Sequence, residues 1–300
     1  MTSKLNIHST ALKTRSHMPS WITSGRRQAI EDVSFLSGAA LATLHPVLDR
    51  QDVPQTLLRA RLALSAAEAC VTFSGRPERV EDLRDAVHFL RPDDLPGPAG
   101  EVYLCWRRAV ERPISIKALH RALPEHPPDK IKSWFDARGR YGACTPIAQA
   151  NQVLEAVLTQ SPRAETPGLI LADAALSQAL GRDYIVPLLA SGLKRSDLRK
   201  RGDELRLACH CAVNSSVADA VQIAYSLARR VARLSAISPK LRAKGAGAAL
   251  ELFLTTDAVT PTALASLNSD RAARRFCDRL VGLGVVRKLT GRDTFRLYGI

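Results

Sequence analysis

Residues 268–300 read NSDRAARRFCDRLVGLGVVRKLTGRDTFRLYGI, and this stretch decides the reading of the fold. Ser269 stands at a helix N-cap position, and Asp270 follows at the positive end of the helix dipole. Ala273, Phe276, Cys277, Leu280 and Leu283 recur at the spacing of one helical face. Arg271, Arg274, Arg275 and Asp278 fall on the opposite face, with Arg279 on its flank. Gly284 stops the helix. Two strands are predicted beyond it, over 285–289 and 294–298, with a tight turn over 290–293. A helix followed by a β-ribbon is the closing half of a winged helix-turn-helix.

The residues upstream supply the opening half. Thr260-Pro261 opens a short second helix over 261–267, by capping and by a pre-set φ. A first helix is predicted over 239–254, with Leu241, Ala249, Leu252 and Phe253 as its apolar side. The small residues Gly245, Ala246, Gly247 and Ala248 permit a neighbouring helix to come close. Residues 238–300 are therefore read as a winged-helix-like domain.

In such a domain an arginine-bearing helix presents donors to phosphates and guanine edges. The candidate DNA-binding residues are Arg271, Arg274, Arg275 and Arg279 on the helix, with Arg287, Lys288, Arg292 and Arg296 on the ribbon. Asp278 lies among the arginines and counts against this reading. A docking surface for a protein partner and a purely structural cap are the alternatives.

The remainder of the chain is helical in pattern. Ala, Leu and Arg abound, aromatic residues make up only 5%, and a 46% hydrophobic content supports a packed core. Apolar residues at helical spacing predict helices over 28–44, 102–109, 114–122, 128–137, 146–159, 169–180 and 203–236. Another begins with Asp52 as N-cap, and one more at Arg76-Pro77. Pro187 marks a start or a kink. The expected architecture is mainly α. A loose basic tail over 1–27 leads into an all-α domain of eight to ten helices over 28–237, which is joined to the winged helix. Trp21, Trp106 and Trp134 are read as core anchors.

The net charge of +14 is concentrated at the two ends. Residues 1–30 carry five Lys/Arg and no acid, and residues 239–300 carry eleven against five. Such an excess favours polyanions. The six cysteines lie scattered in apolar segments without a CxxC pair, as free thiols do in a reducing, cytoplasmic setting. Charged residues interrupt every apolar run before it reaches membrane-spanning length, and the first thirty residues lack the apolar stretch of a signal peptide.

Chemistry-bearing motifs are scarce. Cys209-His210-Cys211 has the wrong spacing for one metal ion, because adjacent helical positions point about 100° apart. His120 and His126 flank a proline-rich turn. Nucleophile-elbow, HExxH and Walker patterns are missing from the sequence. No catalytic residue, cofactor or metal is assigned. The expected partners are double-stranded DNA and a second copy or another protein, with no membrane. An enzyme with an unfamiliar helical site is the third reading.

Two segments resemble a family of uncharacterised bacterial proteins, the domain of unknown function 1403, known mainly from rhizobia and related proteobacteria. They are SPKLRAKGAGA over 238–248, and SDRAARRF from 269 together with TGRDTFRLYG over 290–299. Weaker similarity runs through Gly97-Pro98-Ala99-Gly100 and Gly38-Ala39-Ala40-Leu41. The resemblance implies a bacterial cytoplasmic protein and transfers no catalytic residue. Separately, LVGLGVVRKLTGR over 280–292 is similar to the winged-helix tail of many Fic proteins. His45-Pro46 echoes the start of the Fic motif, but its phosphate cradle is absent from the sequence, so that likeness bears on fold alone.

Overall fold

The computed structural model describes residues 18–23, 29–91, 93–139, 144–241, 243–290 and 296–300. Among them are thirteen α-helices and a single pair of two-residue strands, so the protein is mainly helical. The order is α1 (Ser20–Thr23), α2 (Ile30–Leu48), α3 (Gln55–Phe73), α4 (Val80–His88), α5 (Gly97–Glu111), α6 (Ile116–Ala122) and α7 (Pro128–Phe135). Then come α8 (Pro146–Gln160), α9 (Glu165–Ala179), α10 (Leu189–Gly192), α11 (Gly202–Ile237), α12 (Ala246–Thr255) and α13 (Asp270–Gly282).

The core is organised around α9 and α11. Ten successive residues of α9, Gly168 to Ser177, are buried, so this helix has neighbours on all sides. It lies along α8, while α2 runs along α11 and α3 packs on α5. Helix α11 is 36 residues long, about 54 Å at 1.5 Å per residue. Of the stripe that predicts it, Val217, Val221, Ala224, Leu227 and Leu234 are buried, while Val231 is partly exposed.

Local chemistry explains where several helices begin. Ser115 and Thr145 cap α6 and α8 by accepting from Ala118 N and Ala148 N. The expected cap at Asp52 does not form: Asp52 pairs with Arg50 at 2.6 Å, and α3 starts after Pro54. The helix expected at Arg76-Pro77 starts later, at Val80, with the Asp82 carboxylate accepting from Arg79 N at 2.9 Å. Past Pro187 the chain does restart, as the single turn α10. Its first amides are held by a buried carboxylate on α9: Asp173 Oδ1 accepts from Leu188 N at 3.1 Å and Leu189 N at 3.0 Å.

Trp106 and Trp134 are fully buried anchors, donating to Cys70 Sγ at 3.4 Å and Gln160 Oε1 at 2.8 Å. Trp21 is not: it is 51% exposed and stacks on Phe35, while its neighbour Ile22 enters the core.

In the C-terminal part, the first helix is shorter than predicted. A 3-10 turn, Ser238–Lys240, precedes it, and α12 begins only after Gly245. Gly245 has φ +85, and a Cβ there would collide with the Ser266 backbone. It therefore breaks the helix and lets the chain approach the 265–267 turn. The predicted second helix consists of two 3-10 turns, Pro261–Ala263 and Ala265–Leu267, the first capped by Thr260 Oγ1 from Ala263 N at 3.3 Å. The strands are also shorter. Arg287–Lys288 (β1) pairs antiparallel with Tyr298–Gly299 (β2), and Val259 bridges to Tyr298 on its other side. Most of the turn expected over 290–293 lies outside the described residues. Apolar contact is continuous across residue 238: Phe253, Phe276, Leu280 and Tyr298 belong to the same buried cluster as the body.

Candidate nucleic-acid interface

Helix α13 is built as its sequence dictates. Ser269 Oγ accepts from Ala272 N at 3.2 Å, and Ala273, Phe276, Cys277 and Leu280 are buried. Leu283, expected on that face, is 47% exposed because it follows the last helical residue. Gly284 then takes φ +68 and turns the chain. Burial pushes the Cys277 thiol up to about 12, the state of an inert core residue.

The outer face carries Arg271, Arg274, Arg275, Asp278 and Arg279, all exposed. Their charges are not equally available. Arg274 reaches back to Asp270 at 2.8 Å. Arg279 donates to the Lys240 carbonyl at 3.3 Å. Asp278 lies 3.8 Å from Arg296 and accepts from the Tyr298 hydroxyl at 3.4 Å. Among the described residues, Arg271 and Arg275 form no ion pair. They are four apart and share one stripe of the helix.

The ribbon residues divide. Arg296 is joined to the helix through Asp278. Arg287 borders a cleft against the body, together with Arg61, Arg84 and Arg230. Successive strand residues face opposite ways, so Lys288 points to the other side. Arg292 lies outside the described residues. Of the sequence-predicted residues, the helix set and Arg296 thus come together, while Arg287 belongs to a different surface.

A second polar constellation, which sequence reasoning missed, fixes this segment to the body. Asp257, only 3% exposed, precedes the Val259 bridge. Arg84 of α4 grips its carboxylate through Nε at 2.6 Å and Nη2 at 3.3 Å. Arg61 Nε of α3 contacts the same carboxylate. Arg61 Nη2 also donates to the Ile300 carbonyl at 2.9 Å. Burial lowers the affinity of the Arg61 guanidinium for its proton, and Asp257 works against that shift. The available signal was an arginine next to a buried leucine in each helix, Arg61 beside Leu62 and Arg84 beside Leu83.

The other sequence candidates have structural partners. His210 sits between Ser37 Oγ, 2.7 Å from its Nδ1, and Ser34 Oγ, 3.4 Å from its Nε2, linking α11 to α2. His120 Nδ1 is 3.0 Å from the His126 carbonyl. No grouping of three or more metal-ligating side chains occurs among the described residues. Nor, among them, is any helix long and apolar enough to cross a membrane.

No curated protein matches the chain. The family described as protein of unknown function (DUF1403) matches residues 6–300. That match takes in nearly the whole sequence, including both α13 and the helices that anchor it, and the protein belongs to this family.

Proposed function

We propose that residues 238–300 form a winged-helix module that binds double-stranded DNA through α13, with the helical body serving regulation or assembly. The carrying observation is the exposed cationic stripe of Arg271 and Arg275 on a helix whose other face is fully buried. The order of elements supports the fold: a helix, a bridging residue at Val259, short turns, α13, and then a strand pair whose second member bridges back to Val259. The likeness of residues 280–292 to the tail of Fic proteins supports it as well. Arg274, Arg279 and Arg296 add positive charge at the flanks, and Lys288 adds to it on the ribbon. Binding of this kind releases counterions, so affinity falls steeply with salt.

The test is fluorescence anisotropy of mixed-sequence duplex DNA with the full chain, titrated across salt. A steep negative salt slope that becomes shallower in the Arg271→Ala/Arg275→Ala double variant supports the reading. No binding at low salt, or binding indifferent to that pair, overturns it.

One observation favours a second reading. Asp270 and Asp278 neutralise part of the same face, which suits a mixed-charge protein surface better than a phosphate backbone. In that case α13 docks a protein partner. A complex that survives high salt and nuclease treatment would establish docking.

A further inference from the structure

A cleft of about 420 Å³ opens where α3, α4 and α11 meet the C-terminal strand pair. Four guanidinium-bearing residues line it: Arg61, Arg84, Arg230 and Arg287. Arg61 and Arg84 share Asp257 as counter-ion. Among the described residues, Arg230 on α11 and Arg287 on β1 have no ion pair. The acids at the margin do not serve them: Glu68 lies 3.9 Å from Arg79, and Glu81 is exposed.

Burial first, and then the neighbouring cations at the same opening, disfavour the charge on Arg61 and Arg230. Arg84, Arg287 and Arg230 all disfavour the charge on Arg61, and Arg287, Arg233 and Arg229 disfavour that on Arg230. The fold thus holds two unneutralised guanidiniums, from separate elements, at one opening. Leu64, Val80, Ile223 and Leu227 supply apolar wall between them. Low-dielectric walls strengthen any ion pair formed inside. The volume falls within the range of small-molecule sites, and guanidiniums hold phosphate or carboxylate through paired donors.

We propose that this cleft binds a small organic polyanion, bearing a phosphate or clustered carboxylates, with Arg230 and Arg287 as its direct partners. The site is distinct from the exposed face of α13 and does not depend on DNA binding. A ligand here bridges α11 to β1, so it fastens the C-terminal segment to the body.

Isothermal titration calorimetry and thermal melting of the full chain, in low-chloride buffer, test the proposal with two probes, inorganic pyrophosphate and citrate. The expected result is saturable binding of at least one probe, with a raised melting temperature. Arg230→Gln and Arg287→Gln should each weaken that binding at least tenfold, while Arg271→Gln changes it less than twofold. Preference for pyrophosphate or for citrate identifies the head group, and either preference supports the site. Failure of both probes to saturate overturns the proposal. So does a loss in Arg271→Gln as large as that in Arg230→Gln, because summed charge and not the cleft would then be responsible.

Discussion

Arg61 and Arg84 lie inside the protein against one carboxylate, whereas Arg271 and Arg275 lie on its surface and, among the described residues, form no ion pair. The residue type is the same, and its consequences are opposite. Inside, the guanidinium is tied to the fold: desolvation makes an unpaired charge expensive, so Asp257 must be present. Outside, water solvates the charge, the fold is indifferent to it, and the side chain stays available to a ligand. Charge content therefore says little about function until burial has divided it.

The largest effect should come from the buried side. Asp257→Ala leaves two guanidiniums unneutralised and should cost about 3–5 kcal/mol, read by urea unfolding. A loss below about 1 kcal/mol would show that water reaches Arg61 and Arg84, and the contrast between the two sets would collapse.

Asp173 sharpens the same contrast with a single charge. Burial pushes its carboxyl up to about 7. A raised pKa means that the folded state binds a proton more tightly than the unfolded state, so between about pH 4 and 7 stability falls as pH rises. The ionised group should cost roughly 4 kcal/mol at pH 8. Asp173→Asn keeps an acceptor for Leu188 N and Leu189 N and removes the charge. It should be more stable than the parent at pH 8 and nearly equal to it at pH 4. Comparing variant with parent at each pH also cancels His88, which burial pushes down to about 4 and which therefore destabilises the fold as pH falls below 6.5. An equal difference at both pH values would remove the carboxyl as the titrating group.

On the exposed side, Arg271→Ala/Arg275→Ala should leave stability within about 0.5 kcal/mol. It should weaken DNA binding at least tenfold, about 1.4 kcal/mol, and reduce the salt slope by about 2. The smallest effect belongs to Asp270→Asn. Releasing Arg274 from its pair should cost about 0.5 kcal/mol of helix stability and strengthen DNA binding modestly. Weaker DNA binding in this variant would mean that the Asp270–Arg274 pair positions the arginine and does not withhold it.

What could be read in the sequence was whatever depends on neighbours along the chain. The alternation of Arg271, Arg274 and Arg275 with Ala273, Phe276 and Cys277 forecast a one-sided helix, and Ser269 and Thr260 forecast caps that form. The extent of α11 follows from its apolar spacing. Contacts between distant segments left no such trace. Asp257 carries no signal of its partner, because Arg84 lies 173 positions earlier. Asp173 carries none either, because the amides it holds are 15 and 16 positions ahead, beyond the reach of helical periodicity. Arg287 does lie on the ribbon, as its sequence indicates, but the cleft it shares with Arg61, Arg84 and Arg230 could not be read from the chain.

The separation between Arg84 and Asp257 also has a meaning in time. Synthesis proceeds at roughly 5–20 residues per second, so the 173 intervening positions take about 10–35 seconds to emerge. Over that interval α3 and α4 can assemble with α5, but the two guanidiniums between them have no counter-ion. The nascent body must hold that edge open to water, or shield it with another anion, until the carboxylate arrives. Closure of the Asp257 pair must then follow the synthesis of α3 and α4 by that interval, because the chain is made in one direction.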